Sequence, residues 1–175
     1  MKHLLNTSLL SLAIVLLSGC GRTAVHADIW TAAATNDTEA IRQYIDSGAD
    51  IDAREPMGGS SALIVASLVG NAEAAELLLE NGADPNLQNN DGSTALHTAA
   101  FFCNREIVGK LLAHGARLDI KNKYQQTPYE TVAGTWNRQM EELYGMLGAV
   151  FKMELDMDHI RASRPLIADY LSSQS

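Results

Sequence analysis

Apolar residues in the middle of the chain recur with the spacing of short helices. Between residues 91 and 119, a turn is followed by an alanine-rich segment, a break at Cys103 and a second segment that ends at Gly115. The apolar residues of the second segment are Ile107, Val108, Leu111 and Leu112. This spacing predicts two short antiparallel helices and a loop. Because so small a pair leaves an apolar face uncovered, it needs neighbours.

The same pattern returns along the chain with a period of 33 or 34 residues. Ala95-Leu96 has its counterparts in Ala62-Leu63 and Pro128-Tyr129, and Gly115-Ala116 has its counterparts in Gly82-Ala83 and Gly48-Ala49. The agreement of these dipeptides on one period predicts a stacked-repeat protein.

At these residues the chain resembles the ankyrin family, whose repeat contains T-P-L-H-x-A and a second helix ending in G-A-D-x-N. Residues 94–100 read TALHTAA, with Ala95 in place of the usual proline, and Ile64 stands where the previous repeat would carry histidine. The resemblance implies an all-α ankyrin-repeat solenoid of about four helix-turn-helix repeats with a C-terminal helical cap. It also implies that His97 hydrogen-bonds loop backbone.

The predicted organisation divides the chain into four parts. They are a signal peptide at 1–19, a tether at 20–27, repeats at about 28–54, 55–88, 89–121 and 122–133 (the last partial), and a helical cap at 134–175. Within the cap, apolar residues at helical spacing from Met140 to Phe151 predict a long helix that ends near Leu155 and replaces the second helix of repeat four. Pro165 is expected in the first turn of a last helix.

The N-terminus has the features of a secretion signal. Lys2 precedes an apolar core that is too short to span a membrane permanently. The segment ends in Leu17-Ser18-Gly19-Cys20, which resembles the lipobox of bacterial lipoprotein precursors. That resemblance implies cleavage before Cys20 and lipidation of its side chain. Gly21 then favours the outer membrane, and ordinary cleavage near residue 24 or 27 is the alternative.

Charge and cysteine content limit the classes of partner. The full chain has a formal charge of -8, and loss of residues 1–19 removes one lysine and no acid, which gives -9. An acidic chain repels nucleic acid and anionic headgroups, so we expect no nucleic-acid partner and no membrane contact except through the lipid. With Cys20 lipidated, Cys103 has no intramolecular disulfide partner.

The resemblance also indicates where a partner would bind. In ankyrin repeats the two residues before the inter-helix turn face a concave groove, and the turn tips add further contacts. The candidate partner-binding residues are Met57, Leu68, Val69, Asn90, Asp91, Ser93, Phe101, Phe102, Tyr124 and Gln126. Their apolar members predict an exposed strip. The alternative is that the phenylalanines are buried under the C-terminal tail.

The tail has two interpretations. A repeat stack exposes apolar surface at its last unit, so the tail helices are expected to cap it. A helix that binds a partner's groove, or a dimerisation face, is the other interpretation.

Enzymatic chemistry has little support. No histidine pair has metal-ligand spacing, no phosphate loop or serine-nucleophile motif occurs, and we expect no cofactor. The one dense polar cluster is Asp156, Asp158, His159 and Arg161. An enzyme built on this cluster requires its side chains to converge.

The sequence therefore predicts a non-enzymatic, monomeric protein-interaction module, tethered by Cys20 to the bacterial cell envelope and facing the periplasm. Its protein partner is unidentified. The alternatives are an inhibitor that sequesters a toxin or enzyme, and a redox or stress-defence protein whose Cys103 is exposed and has a lowered pKa.

Overall fold

A computed structural model of the protein describes residues 28–174. The signal peptide, the lipidation of Cys20 and the tether lie outside these residues. Residues 28–174 contain nine α-helices and no strand. The helices are α1 Ile29–Thr35, α2 Thr38–Asp46, α3 Ala62–Val69, α4 Ala72–Glu80, α5 Ala95–Phe101, α6 Arg105–Ala113, α7 Pro128–Val132, α8 Arg138–Phe151 and α9 Met157–Ser172.

The first seven helices stack as repeated helix pairs. Helices α1, α3, α5 and α7 are the first helices of successive repeats and pack on one another in that order. Helices α2, α4 and α6 are the second helices, and each packs on the first helix of its own repeat. The all-α solenoid predicted from the 33-residue period is therefore confirmed.

Hydroxyl side chains cap the first helices of the second, third and fourth repeats, and Asp28 caps α1. Thr94 and Thr127 cap α5 and α7, and in each case the third helical residue, His97 or Glu130, returns a side-chain bond to the cap's backbone N–H. Such capping boxes satisfy two of the backbone donors that a helix start leaves without a partner.

A left-handed residue turns the chain from the first to the second helix of each complete repeat. Asn36, Gly70 and Cys103 occupy this position with φ of 56°, 82° and 59°. The alignment of Cys103 with Gly70, 33 residues earlier in the repeat pattern, predicts a positive φ at Cys103, and the structure confirms it. A residue with a Cβ is strained in this conformation by about 1 kcal/mol, which the surrounding packing offsets.

Asparagine side chains join neighbouring repeats. Asn71 Nδ2 donates to the carbonyl oxygens of Ala33 and Ala34 at 2.9 Å. Asn104, 33 residues later, donates to the carbonyl of Ser67 at 2.8 Å. Because these acceptors lie near helix ends, each bond satisfies a carbonyl that its own helix leaves free.

The loops between repeats form a row of turn tips held by equivalent side chains. The carboxylate of Glu55 accepts from the backbone N–H groups of Met57 and Gly58. Asn89 and Asn122 accept two backbone N–H bonds each in the next two tips. Backbone bonds also connect one tip to the next, as from Asn90 N to Gly58 O at 2.8 Å. The tips are therefore a rigid surface.

The C-terminal region differs from the sequence prediction in which helix completes the fourth repeat. Helix α9, not α8, packs on α7 and α5 in the position of a second helix of repeat four. The expectation that the helix after Met140 takes this position was wrong. Residues 133–156, which include α8, form an insertion between the two helices of the last repeat. The apolar periodicity identified the helix correctly but carries no information on which side of the stack it lies.

Helix α9 starts earlier than predicted, at Met157. Asp156 caps it by accepting from His159 N at 2.9 Å. Pro165 lies inside α9 rather than in the first turn of a separate helix. The missing N–H of a proline costs an interior helix one hydrogen bond, and burial of Ile160, Ile167 and Leu171 against the stack offsets that cost.

Candidate functional site

A cavity of about 360 Å³ lies between the stack and helix α8. One wall consists of residues from α3, α5 and the turn tips, and we call this wall the groove. The groove residues are Ser60, Ile64, Leu68, Asn89, Asp91, Ser93, His97, Thr98, Phe101, Phe102, Asn122, Tyr124, Gln126 and Thr131. The opposite wall consists of Met140, Leu143 and Leu147 of α8.

Seven of the ten candidate partner-binding residues border this one cavity. They are Leu68, Asp91, Ser93, Phe101, Phe102, Tyr124 and Gln126. The structure therefore brings together residues that are 58 positions apart in sequence. Met57 and Asn90 are exposed at the turn tips, and Val69 is half-buried away from the cavity.

The predicted exposed strip is wrong at Leu68, Phe101 and Phe102, which lie on the side of the groove that helix α8 covers. Leu68 is 1% exposed and Phe102 is 8% exposed, and Phe101 is half-buried. The ring of Tyr144 in α8 stacks on Phe101 with the ring centroids 4.7 Å apart, and its hydroxyl donates to the Phe101 carbonyl at 2.5 Å. The burial of the phenylalanines under the tail, stated above as the alternative, is what the structure has.

The turn tips provide the accessible part of the candidate surface. Met57 is 50% exposed and Tyr124 is 44% exposed, and Asn90 and Gln126 are also exposed. Asp91 is buried and Ser93 is half-buried within the same row. The tips therefore hold two large, partly exposed side chains at the surface in a fixed arrangement.

His97 connects the groove to the last turn tip. Its Nδ1 accepts from Thr94 N at 3.2 Å, so the proton is on Nε2, which donates to the Gln126 carbonyl at 3.0 Å. Burial lowers the pKa of His97, since a charged ring would lose its hydration there. These bonds to loop backbone are those that the family resemblance implied.

Sequence reasoning missed a buried cation beside the groove. Arg164 of α9 is 3% exposed and has no carboxylate partner among residues 28–174; it donates to the Tyr144 hydroxyl at 2.8 Å and to the Thr131 carbonyl at 3.1 Å. The sequence pattern could have revealed it, because Arg164 lies at helical spacing between the apolar Ile160 and Ile167, which are buried. An arginine on an apolar helix face indicates a buried polar contact.

The redox alternative fails at Cys103. The side chain is 4% exposed, and burial raises the thiol pKa to about 11. Its Sγ lies 3.8 Å from the Ile160 carbonyl under helix α9. The redox interpretation required an exposed thiol with a lowered pKa, and the structure contradicts both.

The polar cluster in the tail does not form a catalytic site. Asp156 caps the start of α9 by accepting from the backbone N–H of His159, and the exposed Arg161 lies 3.5 Å from Glu141 and 3.8 Å from Asp158. These side chains lie on a solvated helix start. Within residues 28–174, no group of three or more His, Cys, Asp and Glu side chains is arranged to hold a metal ion.

A second, shallow cleft lies on the side of the second helices. Lys110 and Glu76 form an ion pair of 2.6 Å at its centre, and the bond from Lys110 lowers the pKa of the Glu76 carboxyl. These two charges satisfy each other, and Arg105, which also lines the cleft, lies over the ring of Tyr170 with its Cζ 5.4 Å from the ring centroid. No helix in residues 28–174 is long and apolar enough to cross a membrane.

A stack of helix pairs with a row of rigid turn tips and a groove between first helices defines a repeat-type binding protein. The family model described as Ankyrin repeats, in three copies, matches residues 29–122, which is more than half of the chain. The chain belongs to the ankyrin-repeat family.

Curated proteins with similar sequence each match part of the chain. The chain is 39% identical over 71 residues to the Cyclin-dependent kinase 4 inhibitor B of Bos taurus, which covers 41% of this chain and 50% of the relative. It is 40% identical over 60 residues to the protein of the same name from Mus musculus, covering 34% of this chain and 45% of the relative. The chain thus spans about half the length of these relatives. It is also 38% identical over 61 residues to a Mitochondrial disaggregase of Bos taurus, a match that covers 35% of this chain and 9% of the relative.

Proposed function

We propose that the protein is a non-catalytic interaction module that binds one protein partner through its turn tips and groove. The observation that carries this proposal is the joint wall of the cavity, on which first helices and turn tips present seven of the residues expected from the repeat pattern. Because the tips are hydrogen-bonded to one another, little conformational freedom is lost when a partner binds.

The exposed apolar residues at the tips are the proposed anchors of that contact. Met57 and Tyr124 are large, partly exposed side chains, and such residues are common at the centres of protein interfaces. The polar Asn90 and Gln126 beside them are suited to the rim, where hydrogen bonds fix orientation.

An inhibitor that sequesters an enzyme or toxin is a second candidate within the same class. It is favoured by the names of the relatives from Bos taurus and Mus musculus, which describe inhibitors of a protein kinase. Because the chain spans about half of those proteins, we do not propose that its partner is the same kinase. A rigid groove that covers an active site is sufficient for inhibition.

We further propose that Cys20 is lipidated and holds a monomeric protein at a bacterial envelope, in the outer membrane and facing the periplasm. The support is the sequence Leu17-Ser18-Gly19-Cys20 after an apolar core. Metabolic labelling with a fatty acid analogue, followed by membrane fractionation, tests this. We expect the label and the membrane association in the native protein and neither in Cys20→Ser. Equal label in both would refute lipidation.

Site-specific photo-crosslinking tests the proposed binding surface in the native host. A photoreactive residue at position 57 or 124 is expected to capture the same partner. The same residue at Leu166, which is equally exposed but lies on α9, is the matched control and is expected to capture none. Capture from position 166 alone, or from none of the three, would contradict the proposal. Mass spectrometry of the captured band then identifies the partner and separates an adaptor from an inhibitor.

A further inference from the structure

Helix α8 occupies the groove without belonging to the repeat stack. The last repeat is formed by α7 and α9, which pack on each other directly. The insertion that carries α8 leaves this pair at Ala133 and returns to it at Asp156. Removal of α8 from the groove would therefore leave every helix pair of the stack in place.

Helix α8 packs closely on the groove at Tyr144, and a cavity separates the two elsewhere. Tyr144 is fully buried and stacks on both Phe101 and Trp136. Beside it, the cavity of about 360 Å³ separates Leu143 and Leu147 from the groove. This volume is more than twice the roughly 150 Å³ that accommodates a benzene molecule in a protein core.

Two hydrogen-bond donors at the same contact are buried without an acceptor. They are the Nε1 of Trp136, which precedes α8, and the Nε of Arg164, which lies beneath Tyr144. Buried donors of this kind are usually satisfied, and each unsatisfied one weakens the contact that buries it. Opening of the insertion would return the indole N–H to water.

We propose that the groove is the binding site for an amphipathic helix of the partner, and that α8 is an internal helix which this partner replaces. The inference rests on the proposed function as a protein-binding module. The fit of α8 defines the chemistry of the incoming helix. Apolar residues at the spacing of Met140, Leu143, Tyr144 and Leu147, i, i+3, i+4 and i+7, face the groove. An aromatic residue takes the place of Tyr144, and side chains larger than leucine fill the cavity.

A labelled synthetic peptide of residues 137–153 is the probe, added to the full chain. Binding is measured by fluorescence anisotropy to the native protein and to Tyr144→Ala, which weakens the internal helix. We expect Tyr144→Ala to bind the peptide at least tenfold more tightly than the native chain, because its groove is vacated more often. A peptide with Leu143→Phe is expected to bind better still. A peptide with Tyr144→Ala is expected to lose binding, whereas one with Met146→Ala, changed on the exposed face of the helix, retains it.

Hydrogen exchange on the unmodified protein provides a test that needs no variant. We expect the amides of α8 to exchange at least 100-fold faster than those of α9, since α8 opens while the stack stays folded. Equal exchange of α8 and α9 would overturn the proposal, as would equal peptide affinity in the native chain and the Tyr144→Ala variant.

The same experiments separate this inference from its competitors. An apolar dye that binds the native protein while the amides of α8 stay protected would assign the cavity to a small molecule and overturn the helix proposal. Loss of peptide binding together with intact crosslinking at positions 57 and 124 would overturn the inference and leave the proposed function standing. Peptide binding in the absence of any crosslinked partner would support the groove and contradict the turn-tip contact.

Discussion

The buried arginine beside the groove allows a double-mutant test of how the C-terminal helices are held. Tyr144 links three parts of the chain, because its hydroxyl donates to the carbonyl of Phe101 and accepts from Arg164. Arg164 has no carboxylate to balance its charge, so its hydrogen bonds to Tyr144 and Thr131 are its main compensation. The substitution Tyr144→Phe removes one hydroxyl and both of its bonds, and the ring stays in place.

The magnitude follows from these two bonds. Loss of the bond to the Phe101 carbonyl costs about 1 kcal/mol, and loss of an acceptor for a buried guanidinium costs about 2 kcal/mol more. Tyr144→Phe is therefore expected to lower the free energy of unfolding by about 3 kcal/mol, which corresponds to a fall in Tm of about 6 to 12 °C for a chain of this length. Arg164→Met fills a similar volume without a charge and is expected to stay within about 1 kcal/mol of the native protein.

The two substitutions together should be less harmful than their sum. In the double variant Tyr144→Phe, Arg164→Met, no guanidinium is left without an acceptor, so we expect a coupling energy of about 2 kcal/mol. Urea unfolding followed by circular dichroism and by tryptophan fluorescence measures it, since Trp136 stacks on Tyr144. The exposed Tyr129→Phe is the control and should change nothing. Additive effects, or a loss above about 3 kcal/mol for Arg164→Met alone, would refute the reasoning.

Three further predictions concern single sites. Because burial lowers the pKa of His97, the imidazole binds a proton more readily in the unfolded chain than in the folded one. The free energy of unfolding is therefore highest above about pH 6.5 and falls below that pH by up to about 1.4 kcal/mol per pH unit. The substitution His97→Gln should remove this pH dependence, and an unchanged dependence would contradict the assignment. Cys103, with its thiol pKa raised to about 11, should react with iodoacetamide at pH 8 about a hundredfold more slowly in the folded than in the urea-unfolded protein, and equal rates would contradict its burial. The substitution Glu55→Ala leaves the N–H groups of Met57 and Gly58 without their acceptor and should lower the free energy of unfolding by about 2 kcal/mol. The control Glu80→Ala, at an exposed position, should lower it by less than about 0.5 kcal/mol. Similar values for the two variants would show that the Glu55 carboxylate does not hold the turn tip.

Local features of the stack were predictable because equivalent positions in successive repeats have the same structural role. The left-handed position of Cys103 followed from its alignment with Gly70, and the role of His97 followed from its place in the repeat motif. Both depend on contacts within one repeat or to the next, and these are the contacts that a 33-residue period encodes.

The position of the C-terminal helices was not predictable in the same way. The apolar spacing around Leu143 and Leu147 identifies a helix, and the same spacing fits a second helix of a repeat or a helix that covers the groove. Phe101 and Phe102 were assigned to an open surface because their positions face the concave groove in ankyrin repeats. Their burial depends on Tyr144, 43 residues after Phe101, in a segment without a counterpart in the other repeats.

Unequal burial along the stack gives the molecule a mechanical polarity. In the first repeat, α2 buries only Ile41 completely, whereas α4 buries Ala74, Ala75 and three leucines, and α9 closes the other end with five buried residues. Under a pulling force applied at the N-terminus, the first helix pair therefore detaches at the lowest load, and the units that carry the groove remain folded behind it. Force spectroscopy would record this as a small early step followed by a larger rupture, so that the first repeat shields the binding surface from tension.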